Sequence, residues 1–198
     1  MNVVFDIGNV LVHWEPRALY RKIFATEAEV EWFITNVCNS AWNLEQDRGR
    51  SFAEAVREAT ARFPEHAEAI AAYDRRWHET VLGPIDGTVD ILEELRHRGT
   101  PLYAITNFNQ DKFRETLARF SFLGAFRDIV VSGDERMLKP DPAIYRLLLA
   151  RNGLDAASCV FIDDSEKNVL GAEAVGMKAI HFTTPEALRA ELSGMGLL

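Results

Sequence analysis

Five short apolar segments constrain the fold of this chain more than any other feature of the sequence. They are uniformly apolar rather than alternating, which is typical of strands buried on both faces of a parallel sheet. Helical patterns separate them, so we predict an α/β fold with a doubly wound, Rossmann-like parallel sheet. The five segments are residues 3–6, 102–107, 129–132, 159–164 and 179–182.

Helical patterns also have recognisable ends. Three of them stop at a glycine, which ends helices because it adopts the left-handed conformation without strain. These glycines are Gly99, Gly153 and Gly176. The predicted helices of this part of the chain are residues 89–97, 110–120, 142–152 and 168–175.

Residues 15–83 break the alternation because their pattern is helical only. Thr26 with Glu29 fits a capping box, in which two side chains close the first turn of a helix. We predict that this segment forms a small all-helical cap, inserted directly after the first strand. The α/β core is then made of residues 1–14 and 84–198.

Composition excludes several classes of protein. The net charge of −8 gives no general attraction for a phosphate backbone, so nucleic acid is not expected as a partner. No apolar stretch approaches the ~20 residues that cross a bilayer, and the N-terminal residues lack a signal-peptide pattern. We expect a cytoplasmic protein without a membrane partner. Its two cysteines, Cys38 and Cys159, are expected to be free thiols.

Three of the apolar segments end in polar residues. They are Asp6, Thr106-Asn107 and Asp163-Asp164. Ligands bind open α/β sheets at the carboxyl ends of the strands, where these residues would meet. Adjacent carboxylates repel, and a divalent cation explains their proximity. We predict Mg²⁺ bound by Asp6, Asp164 and a backbone carbonyl near Gly8, since Mg²⁺ prefers oxygen ligands.

An anionic substrate would need a local positive charge in so acidic a protein. Lys139 lies just before a helix that starts with proline, and it is a candidate for binding phosphate and steadying Asp6. The alternative for this residue is an ordinary surface lysine. Thr106 and the amide after it are candidates for an anion-binding turn.

As a set, these residues resemble the four ordered motifs of the haloacid dehalogenase-like hydrolase superfamily. The resemblance rests on Asp6-Ile7-Gly8-Asn9-Val10, Thr106-Asn107, Lys139-Pro140 and Asp163-Asp164, and it spans residues 3 to about 182. It implies that Asp6 is the nucleophile and forms an aspartyl-phosphate. Thr106 and Asn107 would bind the phosphoryl group, and Lys139 would neutralise its charge. Asp164 would bind Mg²⁺ directly, while Asp163 orients Lys139 or a metal-bound water.

Gly8 departs from the usual pattern of that superfamily. Its phosphatases commonly carry a second aspartate two residues after the nucleophile, as general acid and base. With Gly8 the carbonyl ligand is kept and the proton donor is lost. The Asp-x-Gly-Asn-Val sequence resembles a subgroup that includes bacterial glucose-1-phosphate phosphatases, which implies hexose 1-phosphates as substrates.

We therefore interpret the chain as a magnesium-dependent phosphatase of small phosphorylated metabolites, such as sugar phosphates. One alternative is a 2-haloacid dehalogenase, in which halide leaves without protonation. A dehalogenase needs no metal, so the pair Asp163-Asp164 favours the phosphatase. The other alternative is a non-catalytic metabolite-binding protein, against which the retention of Asp6 and Lys139 argues.

Further pocket residues are less well defined by the sequence. His13 is the best candidate to replace the missing acid. Glu45 and Arg48, with Trp42 and Asp47, precede a helix of the predicted cap and are candidates for substrate contact. For Asp47 we favour a solvated position on the cap surface.

Overall fold

The computed structural model describes all of residues 1–198. Its central feature is a five-stranded sheet of order β5-β4-β1-β6-β7, in which all neighbouring strands are parallel. A separate antiparallel ribbon pairs β2 with β3. The strands are β1 Asn2–Phe5, β2 Val12–Trp14, β3 Val81–Pro84, β4 Leu102–Thr106, β5 Asp128–Val131, β6 Cys159–Asp163 and β7 Lys178–His181.

Both faces of the sheet are covered, as the uniformly apolar segments predict. Along β1, Val3 and Phe5 belong to one core cluster and Val4 belongs to another on the opposite face. Successive side chains of a strand point to opposite faces, so each strand contributes to both cores. Every residue of β4 and β6 is buried. The predicted doubly wound parallel sheet is therefore confirmed.

Eleven α-helices surround and extend this sheet. They are α1 Pro16–Tyr20, α2 Glu27–Asn36, α3 Ser40–Asp47, α4 Phe52–Arg62, α5 Ala67–Arg75, α6 Asp86–His97, α7 Gln110–Arg119, α8 Ser132–Glu135, α9 Pro142–Asn152, α10 Glu166–Glu173 and α11 Pro185–Gly194. Helix α9 has the predicted bounds, with Asp141 as its N-cap and Gly153 in the left-handed conformation at its end. None of the helices combines the length and the apolar character that crossing a membrane requires.

Helices α1 to α5 form a helical insert, residues 16–75, between the two strands of the ribbon. Thr26 and Glu29 make the predicted capping box at the start of α2. The insert packs around buried aromatic rings, among them Tyr20, Phe33 and Tyr73. The β2–β3 ribbon has no counterpart in the sequence prediction, because strands this short carry too little periodicity to be recognised.

Three side chains of the core hold the helical insert in place. Ser132 Oγ donates to the backbone carbonyl of Asp47 at 2.6 Å. Asn109 Nδ2 donates to the carbonyl of Gln46 at 3.2 Å. The buried Lys112 forms an ion pair with Asp74 of α5 at 2.9 Å. The end of α3 is thereby fixed against the carboxyl edge of the sheet.

The chain at Gly133 is too closely packed for a side chain. A Cβ atom there would lie 2.7 Å from the backbone nitrogen of Gln110 and 2.8 Å from the carbonyl oxygen of Phe108. We expect Gly133→Ala to lower the free energy of unfolding by about 1–3 kcal/mol, because overpacking forces the backbone to shift. Thermal denaturation should show a Tm lower by several degrees.

The matched control is Gly124→Ala, since a Cβ atom at Gly124 would meet nothing within 4 Å. Its Tm should stay close to that of the wild type. Equal Tm values for the two variants would contradict the tight packing of Gly133 against the Phe108–Gln110 backbone.

Candidate active site

The three polar segments that follow apolar strands do meet at one edge of the sheet. Asp6 follows β1, Thr106 ends β4 and Asp163 ends β6, and these strands are neighbours. Asp6, Gly8, Thr106, Asn107 and Asp164 line one pocket at this edge. The parallel arrangement thus brings together residues that lie far apart along the chain.

Lys139 is buried and contacts Asp6 of this pocket, so it is not a surface lysine. Its Nζ is 2.8 Å from Asp6 Oδ1 and 2.7 Å from Asp163 Oδ2. The Lys139 side chain is 1% exposed and that of Asp163 is 0% exposed. Burial lowers the pKa of Lys139, but the charges of Asp6 and Asp163 outweigh burial and leave that pKa above its ordinary value. Lys139 is therefore a fixed positive charge.

Of the two carboxylate oxygens of Asp6, only Oδ1 makes polar contacts with other groups of the protein. Its Oδ1 accepts a hydrogen bond from the backbone nitrogen of Ile7 at 2.7 Å and contacts Lys139. Burial raises the pKa of Asp6 to about 7; Lys139 opposes this rise and the charge of Asp163 adds to it. A further positive charge beside Asp6 would favour the anionic form that can act as a nucleophile.

Asp163 is saturated with hydrogen bonds. Its Oδ1 accepts from the Ser165 nitrogen at 2.8 Å and from Asn168 Nδ2 at 2.9 Å. Its Oδ2 accepts from Lys139 Nζ at 2.7 Å and from Asn168 at 3.1 Å. A carboxylate held in this way orients Lys139 and has little capacity left for a metal ion.

The site carries more negative than positive charge. Carboxylate oxygens of Asp6, Asp163 and Asp164 all lie within 4.8 Å of one another, and Lys139 is the single cation that contacts this cluster. Partial burial, together with the charge of Asp163, raises the pKa of the Asp164 carboxyl. Hard oxygen donors with an uncompensated negative charge fit a divalent cation such as Mg²⁺. Asp6 and Asp164 are the carboxylates open to it.

The side chain of Asn107 makes hydrogen bonds with the backbone of Lys139. Its Nδ2 donates to the Lys139 carbonyl at 3.1 Å, and its Oδ1 accepts from the Lys139 nitrogen at 2.8 Å. Asn107 also lines the pocket beside Asp6, as Thr106 does. Its predicted contact with the phosphoryl group stays a prediction, and the structure adds that its side chain positions Lys139.

His13, Glu45 and Arg48 are exposed and are not among the residues that line the pockets beside Asp6. The expectation that they contact substrate therefore needs correction. Alternate residues of a strand point to opposite sides, so Trp14 faces the pocket where His13 does not. Glu45 and Arg48 lie at the exposed side of the end of α3, where Arg48 Nε is 3.8 Å from Glu45 Oε1.

Helix α3 contributes Ser40, Asn43, Leu44 and Asp47 to the lining of this pocket. Asn43 and Asp47 are four positions apart and share one helix face. Asp47 does not have the solvated position expected from the sequence, because its side chain is partly buried and accepts a hydrogen bond from Asn43 Nδ2 at 3.0 Å. Its inward direction follows from the docking of α3 on Ser132, which the local sequence does not reveal.

A second pocket adjoins the first and has a cavity volume of about 70 Å³. Its lining consists of aromatic rings, polar side chains and Gly8. The rings are Trp14, Phe52, Trp77 and Phe108, and the polar residues are Asn43, Asp47, Asn107 and Asn109. Phe52, Trp77 and Phe108 are apolar residues in helical or core contexts, so nothing local in the sequence distinguishes them as pocket residues.

Similarity to known proteins agrees with this geometry. The sesquiterpene phosphatase astK of Aspergillus oryzae is 28% identical over 190 residues, which are 96% of this chain and 93% of that protein. The phosphoserine phosphatase of Thermus thermophilus is 33% identical over 135 residues, 67% of this chain and 53% of that protein. This chain therefore matches about half the length of the second relative.

A solved structure shows the same fold. A HAD-family enzyme of Bacteroides thetaiotaomicron, in complex with magnesium and inorganic phosphate, superposes with a TM-score of 0.70 at 21% identity. The match covers 92% of this chain and 94% of that one. The sequence itself matches the haloacid dehalogenase-like hydrolase family over residues 3–182. With the fold, the four motifs and this match in agreement, the chain belongs to the haloacid dehalogenase-like hydrolases.

Proposed function

We propose that this protein is a magnesium-dependent phosphatase of small phosphorylated metabolites and that it acts through an aspartyl-phosphate on Asp6. The observation that carries the proposal is the position of Asp6. Its Oδ1 is held by Lys139 and the Ile7 amide, and the residue lines a pocket together with Thr106 and Asp164. A carboxylate fixed in this way is oriented for attack through its other oxygen.

Each residue of the site has a separate role in the proposed phosphoryl transfer. Asp6 attacks phosphorus as the ester bond breaks, and water later releases phosphate from Asp6. Lys139 balances the charge that gathers on the phosphoryl oxygens, and Thr106 orients one of them. Asp6, the Gly8 carbonyl and Asp164 would hold magnesium, whose charge screens the substrate phosphate from the carboxylates. The Bacteroides relative with bound magnesium and phosphate supports this assignment.

Sugar phosphates, and hexose 1-phosphates in particular, are our proposed substrates. The second pocket offers flat rings for stacking and amide or carboxyl groups for hydroxyls, a mixture suited to a sugar. An anomeric oxygen is also a better leaving group than a primary alcohol, which suits a site with Gly8 beside the nucleophile. The same rings would also suit an isoprenoid chain. Isoprenyl phosphates are therefore a second candidate class of substrate, which the similarity to a sesquiterpene phosphatase over 96% of this chain supports.

The 2-haloacid dehalogenase alternative is disfavoured by charge. Its substrate is an anion, and here it would face Asp6, Asp163 and Asp164 with Lys139 as the one cation. A phosphate ester is also repelled by these carboxylates, but a divalent cation held by Asp164 would offset the repulsion.

We expect the wild type to hydrolyse members of a panel that contains hexose 1-phosphates, hexose 6-phosphates, a sesquiterpenyl phosphate and 4-nitrophenyl phosphate. Activity should require magnesium and disappear in excess chelator. Phosphate release, measured with and without added magnesium, tests this. Chloride release from 2-chloropropionate in the presence of chelator would instead support the dehalogenase.

Asp6→Asn should abolish turnover, because the amide is nearly isosteric with the carboxylate but is a poor nucleophile. The loss in kcat/KM should exceed the ~10²–10⁴-fold that removal of a general acid causes. Mass spectrometry after acid quenching should show a phosphoryl adduct on the wild type and none on the variant.

Asp90→Asn is the matched control for that experiment, since Asp90 is exposed on α6, away from the site. It should retain wild-type kcat/KM. A folded Asp6→Asn protein with more than about a hundredth of the wild-type rate would rule out covalent catalysis by Asp6.

Magnesium should raise the Tm of the wild type even without substrate. A ligand present at 100 times its Kd stabilises the folded state by about 2.7 kcal/mol. Asp164→Ala removes one of the two open carboxylates, so its Tm should respond much less. Thermal denaturation over a magnesium titration measures both, with Asp90→Asn as control. An unchanged response in Asp164→Ala would show that Asp164 does not bind the ion.

A further inference from the structure

The missing acid at Gly8 leaves space in the pocket. A Cβ atom built at Gly8 meets nothing within 4 Å. Both pockets described above border this residue, and both also border Asp47. The volume that an aspartate side chain at position 8 would enter is therefore faced by a carboxyl group from α3.

Asp47 is held firmly in that position. Its backbone carbonyl accepts from Ser132 Oγ at 2.6 Å, which ties the end of α3 to the core. Its Oδ2 accepts from Asn43 Nδ2 at 3.0 Å, and Asn43 Oδ1 accepts from the hydroxyl of the buried Tyr73 at 2.8 Å. A side chain fixed by a chain of hydrogen bonds is ordered before substrate arrives.

The electrostatic setting suits proton transfer. Burial raises the pKa of Asp47 to about 7, while the Asn109 backbone and the charge of Lys139 act in the opposite direction. A carboxyl group with this pKa is present in both protonation states near neutral pH. Such a group can give a proton in one step and accept one in the next.

The other carboxyl groups of the site have other tasks. Asp6 attacks phosphorus, Asp164 is open to magnesium, and Asp163 is saturated by Lys139 and Asn168. His13, the candidate from the sequence, is exposed and lies outside the lining. Asp47 is the titratable group of the lining that has none of these tasks.

We propose that Asp47 is the general acid and base of this enzyme, supplied by the helical insert in place of the residue missing at Gly8. The proposal rests on the phosphatase function proposed above. As the Asp6 Oδ–P bond forms and the P–O ester bond breaks, the Asp47 carboxyl gives its proton to the ester oxygen, and a neutral alcohol leaves. The Asp47 carboxylate then takes a proton from the water that attacks the phosphoryl group, which releases inorganic phosphate and restores both aspartates.

Two aryl esters of similar shape test this role. 4-Nitrophenolate leaves readily as an anion, whereas phenolate needs a proton much more. We expect Asp47→Asn to lower kcat/KM about 10²–10⁴-fold for phenyl phosphate and far less for 4-nitrophenyl phosphate. The parameter kcat/KM is appropriate because it covers the steps up to release of the phenol.

A merely structural role for Asp47 would lower kcat/KM for both esters by the same factor, and that result would overturn the proposal. So would an undiminished rate on phenyl phosphate. Asp90→Asn is the matched control and should leave both values unchanged. Melting curves of Asp47→Asn with and without magnesium establish that the variant is folded and still responds to the ion.

A second carboxyl group at position 8 should compensate for the loss. In the Asp47→Asn background, Gly8→Asp is expected to restore kcat/KM for phenyl phosphate by about tenfold or more, since the new side chain enters open space. A wild-type protein inert toward every ester of the panel would contradict the phosphatase function itself, and this outcome differs from a selective failure of the Asp47 assignment.

Discussion

The contact of Lys139 with two carboxylates is the interaction on which the rest of the site depends. Its ammonium group lies 2.8 Å from Asp6 and 2.7 Å from Asp163, at the ends of the neighbouring strands β1 and β6. Asn107, after β4, holds the backbone of Lys139 by two hydrogen bonds. Loss of one partner from a buried ion pair costs about 3–5 kcal/mol, because the remaining charge is left unpaired. The lysine therefore secures both the edge of the sheet and the orientation of Asp6.

The same contact bears on the magnesium ion proposed for this site. One lysine faces a cluster that contains Asp6, Asp163 and Asp164, and the protein as a whole has a net charge of −8. A phosphate ester adds further negative charge. The charge of Lys139 is shared between two carboxylates, so the magnesium ion proposed at Asp164 would add the further positive charge that favours binding of a phosphate ester. The acidic cluster and the acidic composition both favour the proposed metal dependence.

Local signals explain which parts of the structure the sequence predicts. Helix α9 has a proline start, an N-cap at Asp141 and a glycine stop at Gly153, and its predicted bounds agree with the structure. Strand β6 is a uniformly apolar run, predicted within one residue. Asp47 carries no such signal. Its direction is set by Ser132, 85 positions further along the chain, so the inward position emerges only when the insert docks on the core.

An acid carried by the insert has a consequence that an acid at position 8 would not have. A side chain at Gly8 would stay beside Asp6 in every arrangement of the molecule, since both residues belong to the same turn. Asp47 is beside the site only while α3 is docked on Ser132 and Asn109. The docked insert also contributes Asn43 and Phe52 to the lining beside Gly8, which they share with Trp14 of β2. In the proposed mechanism, protonation of the leaving group therefore depends on the docking of α3 against the core.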